Sequence, residues 1–242
     1  LCFSEEGVRH VLRSVLIPWW NAYSFFVTYA NVDGWDSSAA DEGPDSENLL
    51  DRWINSSLER LIGQVVTAMD NYDLQSAVKP FTAFIDDLTN WYIRRSRRRF
   101  WKSEDDGDKA QAYRTLYHVL LELSRIAAPF VPFISDEIYR SLRREGDATS
   151  VHLCDFPLSR EGRRDPGLEQ RMELAMQVVN MGRNIRTEHR LKVRQPLQTL
   201  HVATHRDDVA SHMGDMLDII KEELNVKDVH FLHNQEELAH AQ

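Results

Sequence analysis

Apolar residues return every three or four positions through most of the first 145 residues, and that period admits little besides long amphipathic helices. Ile54, Leu58, Leu61, Ile62, Val65 and Met69 form one stripe, and Leu74, Ala77, Phe81, Phe84, Ile85 and Leu88 form the next. The spacing predicts helices over 49–70 and 74–102, with Asn71 as a stop signal and Asp73 as an N-cap. Pro80 should bend the second helix without ending it. Only 10 glycines and 8 prolines interrupt 242 residues, too few for a chain of short strands and tight turns.

The neighbouring segments fit the same plan. Residues 4–30 read as one or two helices with a break at Pro18, and the acidic stretch 33–47 (DGWDSSAADEGPDSE) reads as a surface loop. A charged loop over 103–108 leads into a helix at 109–128; Pro129 and Pro132 close it and open a shorter one at 133–144. Long antiparallel helices joined by short loops make residues 1–146 a helical bundle. Beyond Gly146 the texture changes. SVHLCDFP (150–157) has extended character and Arg160–Pro166 is a basic, loop-like stretch, so 147–167 reads as a connector. A helix over 168–190 shows Leu174, Val178, Met181 and Ile185 at helical spacing. Leu200 and Val202 alternate with polar neighbours as in a half-buried strand; a helix at 206–224 and a strand around Val229 and Phe231 follow. Strand, helix and strand predict a small α/β subdomain over 168–242 with a right-handed crossover. The fold class is mainly α: a bundle, then this subdomain.

Charge and cysteine usage bound the partners. The 29 basic and 38 acidic residues leave a net charge of −9, which argues against a generic nucleic-acid coat, DNA included, and against an anionic membrane surface. A local basic strip remains compatible with it. Cys2 and Cys154 are the only cysteines, too few for four-cysteine zinc sites, iron–sulfur clusters or a disulfide framework, so a reducing cytoplasm is the expected location. The uncharged run Ser14–Val32 contains Pro18, Asn21, Ser24, Thr28 and Asn31 and reads as a buried aromatic-rich helix, not a membrane span. Leu1 in place of a methionine suggests a piece of a longer chain.

One segment stands apart: Trp91-Tyr92-Ile93-Arg94-Arg95-Ser96-Arg97-Arg98-Arg99-Phe100-Trp101-Lys102. Six of the nine positions from 94 to 102 are basic, with aromatic residues on both sides. Guanidinium groups suit phosphate through bidentate geometry, and flat rings accept unpaired bases. The combination fits folded RNA with exposed loop bases better than plain duplex. Counting about 100° per residue from Leu88 puts Trp91, Arg94 and Arg98 on one flank with Asp87. The same count brings Arg95 and Arg99 into line with the apolar stripe, so either the helix leaves the bundle before 95 or those two pair with buried acids. A plain basic helix end complementing the helix dipole is the alternative reading. A second basic set, Arg183, Arg186 and Arg190 opposite Met181 and Ile185, continues into Lys192 and Arg194; a solvent face would look the same.

Other chemistry is not supported. His201, His205, His230 and His233 have no cysteine or carboxylate at matched spacing, and only Glu237 and His240 form a Glu-x-x-His pair, so no metal site is expected. No glycine-rich phosphate loop, Gly-x-Ser-x-Gly elbow or His-Glu-x-x-His helix occurs. Asp86 and Asp87 are adjacent, point about 100° apart on a helix, and serve better as supports for arginines than as a catalytic pair. No catalytic residue is assigned.

The stretch Asp86–Trp101 (DDLTNWYIRRSRRRFW) resembles the helix signature of the anticodon-binding domain of isoleucyl-tRNA synthetases. WNAYSFFVTYAN (20–31) and Asp51-Arg52-Trp53-Ile54 resemble it too, and APFVPFI (128–134) looks like a segment shared by the synthetases for Ile, Val, Leu and Met. SVHL (150–153), VRQPL (193–197) and EELNVK (222–227) extend the likeness to the end of the chain. The resemblance implies a bundle that grips the anticodon stem-loop of isoleucine tRNA, within a cytoplasmic enzyme that performs ATP-dependent aminoacylation. The catalytic signatures His-Ile-Gly-His and Lys-Met-Ser-Lys-Ser do not occur, nor does an editing domain, and two cysteines cannot build the zinc module of some members. The chain is therefore expected to be non-catalytic and without a cofactor, with ATP and magnesium belonging to a catalytic domain against which it packs. The expected tRNA contacts are Trp91, Tyr92, Arg94, Arg95, Arg97, Arg98, Arg99, Trp101 and Lys102, with Arg183, Arg186, Arg190, Lys192 and Arg194 as a second set. A valyl- or leucyl-tRNA synthetase module is one rival reading. A protein-interaction bundle whose basic strip docks an acidic partner is the other, with loop 33–47 as an example of such an acidic surface.

Overall fold

A computed structural model describes residues 4–37, 46–101, 106–204 and 213–232. The chain divides into two compact units, Leu1–Asp165 and Pro166–Gln242.

The first unit is helical throughout. α1 (Glu5–Val11) starts where the Ser4 side chain accepts the Gly7 N–H, and α2 (Ile17–Asp33) ends at Gly34, whose φ of 64° suits a residue without Cβ. Between them lies a π-helical turn, Leu12–Leu16, with Pro18 placed in the first turn of α2. The expected break is thus a widened turn: the Ile17 N–H reaches back to the Leu12 carbonyl, and the helix runs on past the proline. α3 (Leu49–Asp70) matches its predicted span, whereas the helix predicted over 74–102 is divided and its first part, α4 (Leu74–Asp86), ends at Asp86; the side chains of Asn48 and Asp73 cap α3 and α4. A second π-helical segment, Asp87–Ile93, joins α4 to α5 (Arg94–Trp101). α6 (Asp106–Ala127) and α7 (Pro132–Leu142) complete the bundle. Trp19, Trp53, Leu58, Tyr92, Phe100, Tyr113 and Tyr139 fill its core.

Two expectations need correction. Residues 150–157 are extended at Ser150 and Cys154 but not between them, where Val151–Leu153 is a 3₁₀ turn. Asp136 takes both the Ser150 hydroxyl (2.6 Å) and the Val151 N–H (2.9 Å), and Val151 is buried in the bundle. Residues 147–165 do not form a separate connector, since they belong to the first unit.

In the second unit α8 (Pro166–Glu188) packs against α9 (Leu217–Leu224), and β1 (Leu197–Ala203) pairs in parallel with β2 (Val226–Leu232) from Leu197↔Val226 to Ala203↔Leu232. Parallel pairing is what a strand–helix–strand connection requires. A 3₁₀ turn, Gly214–Met216, precedes α9, and residues 206–212 of the predicted helix lie outside the described residues. The buried face of α8 matches the predicted one at Val178 and departs from it at Met181 and Ile185. Leu168, Met172, Ala175, Val179, Gly182 and Arg186 face inward, while Met181 (55% exposed) and Ile185 face out. At Gly182 the helices are close: a Cβ there would sit 2.5 Å from Leu224 Cδ1, so a larger residue would displace the Leu224 side chain.

Candidate nucleic-acid interface

The basic segment owes its orientation to the wide turns that precede it. A π-helix closes i→i+5 rings and takes more residues to come round than an α-helix does. The segment Asp87–Ile93 therefore turns Trp91, Tyr92 and Ile93 inward in succession, which a regular helix cannot do on one face. Beyond it the pattern has slipped by one residue: Ser96 and Phe100, not Arg95 and Arg99, occupy the buried stripe. Arg94, Arg97, Arg98 and Trp101, spaced i, i+3, i+4 and i+7, then share the exposed face of α5.

Trp91 and Tyr92, expected to stack on RNA bases, are both buried. Trp91 instead lies beneath Arg94, whose guanidinium carbon is 5.6 Å from the ring centroid, and Arg94 Nε donates to the Asn90 carbonyl at 2.6 Å. Tyr92 is 0% exposed and donates its hydroxyl to Asp51 Oδ1 at 2.8 Å. Burial, then the Asp51 charge, pushes that phenol well above the usual tyrosine range, so it stays a neutral donor.

Arg99 is also withdrawn from the RNA-contacting set, because its guanidinium is paired inside the bundle. Nη1 and Nη2 donate to the two Asp51 oxygens at 2.7 and 2.8 Å, and Nε donates to Asp108 at 2.9 Å. Asp51 is 0% exposed and the Arg99 side chain 11%. Ser46 Oγ supplies a fourth bond to the carboxylate at 2.7 Å, leaving both oxygens satisfied. Burial acts against the Arg99 charge, but the hydrogen bonds and charge of Asp51, with the Asp108 bond, raise its pKa further. Of the two alternatives left open by the sequence, pairing with a buried acid is realised for Arg99. Arg95 is half-buried, and Lys102 lies outside the described residues. Among the described residues Arg97 and Arg98 have no ion-pair partner.

Trp101 is 57% exposed. Its ring lies 6.3 Å from that of Tyr29, which neighbours Phe25 at 4.8 Å; Phe25 meets Phe100 edge-on at 5.1 Å, and Phe100 meets Tyr113 at 5.0 Å. A row of tilted rings thus ties the exposed indole to the core. Sequence reasoning missed Asp51, Asp108, Ser46 and Tyr29 as supports. The phase of Arg99 signalled a buried acid without indicating which one.

In the second unit the predicted set separates. Arg183 pairs with Glu223. Arg186, expected on the solvent face, is 3% exposed; its guanidinium donates to the carbonyls of Lys192 (3.0 Å), Gln195 (3.1 Å) and Leu224 (2.6 Å). That position is structural. Arg190, Lys192 and Arg194 are exposed.

Residues 51–202 match a family described as the anticodon-binding domain of tRNA ligase. The chain belongs to that family. It is 47% identical over 98% of its length to the isoleucine–tRNA ligase of Treponema denticola and 47% identical over 98% to that of Protochlamydia amoebophila. It is 48% identical over 96% to that of Chlamydia trachomatis serovar L2b. The anticodon-binding chain spans 23%, 23% and 22% of these relatives, less than a quarter of each. Among its described residues no three or more His, Cys, Asp or Glu gather as a metal site, and no helix is long and apolar enough to cross a membrane.

A second basic area of the domain surrounds His118 on α6. Burial first, then Arg163, Arg160 and Arg125, push this imidazole down to about 4 from 6.5. The unfolded chain takes up a proton near 6.5 that the folded chain accepts only near 4, so stability is complete above that range and declines as pH falls through it. His118 keeps some contact with solvent, which holds the loss to on the order of 2 kcal/mol. Urea titrations between pH 7 and 4 should show the decline in the native chain and a flatter profile in His118→Gln.

Proposed function

We propose that this chain is the anticodon stem-loop binding module of an isoleucine–tRNA ligase, a cytoplasmic enzyme that joins isoleucine to its tRNA with ATP. The observation that carries the reading is the exposed face of α5, where Arg94, Arg97 and Arg98 stand beside Trp101 on a helix pinned from within by Arg99 and Asp51. The arginines neutralise backbone phosphates and Trp101 offers a stacking surface to a loop base. No cofactor is assigned to the chain; ATP and magnesium belong with the rest of the longer enzyme. Val8, Leu12, Ile17 and Trp20 on the first helices, and Leu74 and Val78 on α4, are exposed apolar side chains, a surface suited to packing against the catalytic domain of the same polypeptide.

Filter binding with isoleucine, valine and leucine tRNAs against heparin competitor tests the reading, and equal retention of all three tRNAs would overturn it. Trp101→Ala should weaken isoleucine-tRNA binding about tenfold through lost stacking, with the salt dependence unchanged.

A further inference from the structure

The basic stretch that looked like a loose connector is fastened to α3 at both ends. Ser159 Oγ donates to the Glu59 carbonyl at 3.0 Å and the Arg160 N–H to Glu59 Oε2 at 2.6 Å. At the other end the Asp165 N–H donates to Ser56 Oγ at 2.8 Å, and its carboxylate accepts from Arg52 at 3.2 Å. Between these ties runs a 3₁₀ turn, Glu161–Arg163, in which the Arg163 N–H donates to the Arg160 carbonyl at 2.8 Å. The result is a strap of fixed backbone.

The strap holds charge outward. Glu59 is buried and its carboxylate accepts a main-chain N–H, whereas the side chains of Arg160 and Arg163 are exposed and make no ion pair among the described residues. They act on the face of α6 that carries His118, Glu122 and Arg125, where Glu122 is bonded to Arg125 at 2.7 Å. Glu59, Glu122 and the exposed Glu161 are the acids nearby in sequence or contact. Unpaired arginines fixed on a chain of net charge −9 mark an anion-binding surface. The strap sequence SREGRRD has no aromatic residue, so its chemistry is contact with backbone charge and not with bases.

We propose that Arg160 and Arg163 form a second phosphate-contacting strip for the same folded RNA that α5 binds. This rests on the reading of the chain as a tRNA-binding module. α3 serves as a common rail: Asp51 near its start anchors α5, and Ser56 and Glu59 anchor the strap. Eight residues from Asp51 to Glu59 correspond to about 12 Å of helix axis, a span of a few nucleotides along one strand.

The test is titration of the full 242-residue chain with isoleucine-tRNA transcript at several salt concentrations. R160A/R163A should bind about tenfold more weakly, and the slope of log affinity against log salt should become shallower by between about one and two. R160K/R163K should keep the native slope, and R13A/R140A, which removes the same charge from other exposed positions, should keep the native affinity. Native affinity and slope in R160A/R163A, beside a loss in R97A/R98A, would overturn the strap and leave α5 standing. Loss in R160A/R163A alone supports the strap and counts against α5. An equal loss in R13A/R140A would also overturn the strap, by tracing its effect to net charge. Should the alanine variant melt early, R160Q/R163Q keeps the side-chain stems and is read by the same criteria.

Discussion

Asp51→Ala is expected to destabilise the first unit by about 3–5 kcal/mol, the loss typical when one partner of a buried, hydrogen-bonded ion pair is removed. The carboxylate accepts from Tyr92, Ser46 and both terminal nitrogens of Arg99, and none of its surface reaches water. Without it the Tyr92 hydroxyl has lost its acceptor in the core, and Arg99 retains only Asp108. Asp108 is partly exposed and keeps some compensation, which favours the lower half of that range. Replacing both partners, as in D51L/R99M, should recover much of the loss, because desolvation of the charges disappears along with their attraction. Urea unfolding followed by tryptophan fluorescence measures both effects; a native midpoint in Asp51→Ala would show that the pair does not hold α5 in place.

The second large effect is on binding. R97A/R98A should reduce affinity for isoleucine tRNA at least about a hundredfold, since each hydrogen bond between a guanidinium and a phosphate contributes about 1.5–3 kcal/mol. The salt slope should fall by between about one and two, one increment for each phosphate no longer contacted. Both side chains are exposed, so stability should change by no more than about 0.5 kcal/mol. Separation of the two readouts is the point of the experiment. A stable variant with weaker binding and a shallower salt slope assigns the residues to the interface, whereas a native slope excludes them from it.

How much of the molecule was legible in the sequence depended on the range of the interaction concerned. The helix over 49–70 and the start of the next at Leu74 follow from local apolar spacing and from Asp73, whose side chain does cap α4. The π-helical segment had no such signature, and a count of 100° per residue carried through it placed Trp91 at the surface when the residue is inside. The same count did expose a conflict at Arg99, an arginine in phase with leucines. It could not identify Asp51, 48 positions away, because nothing local encodes that pairing. On α8, Met181 and Ile185 had the composition of a buried stripe, yet the helix turns the other way. Close approach of Leu224 to Gly182 and a guanidinium gathering carbonyls through Arg186 outweighed hydrophobicity. The strap was misread for a related cause: its charges suggested solvent, and its main-chain ties to α3 depend on residues about a hundred positions earlier.

The wide turns between α4 and α5 contain a surplus in length. Because Ser96 and Phe100 sit where a regular helix would place residues numbered one lower, the segment absorbs one residue without rotating α5. Removing the exposed Asn90 should straighten the segment and force one of Trp91, Tyr92 and Ile93 outward, while α5 keeps its bearing. Aim and spacing are thus separable along this helix: its length can change by one without redirecting the arginines.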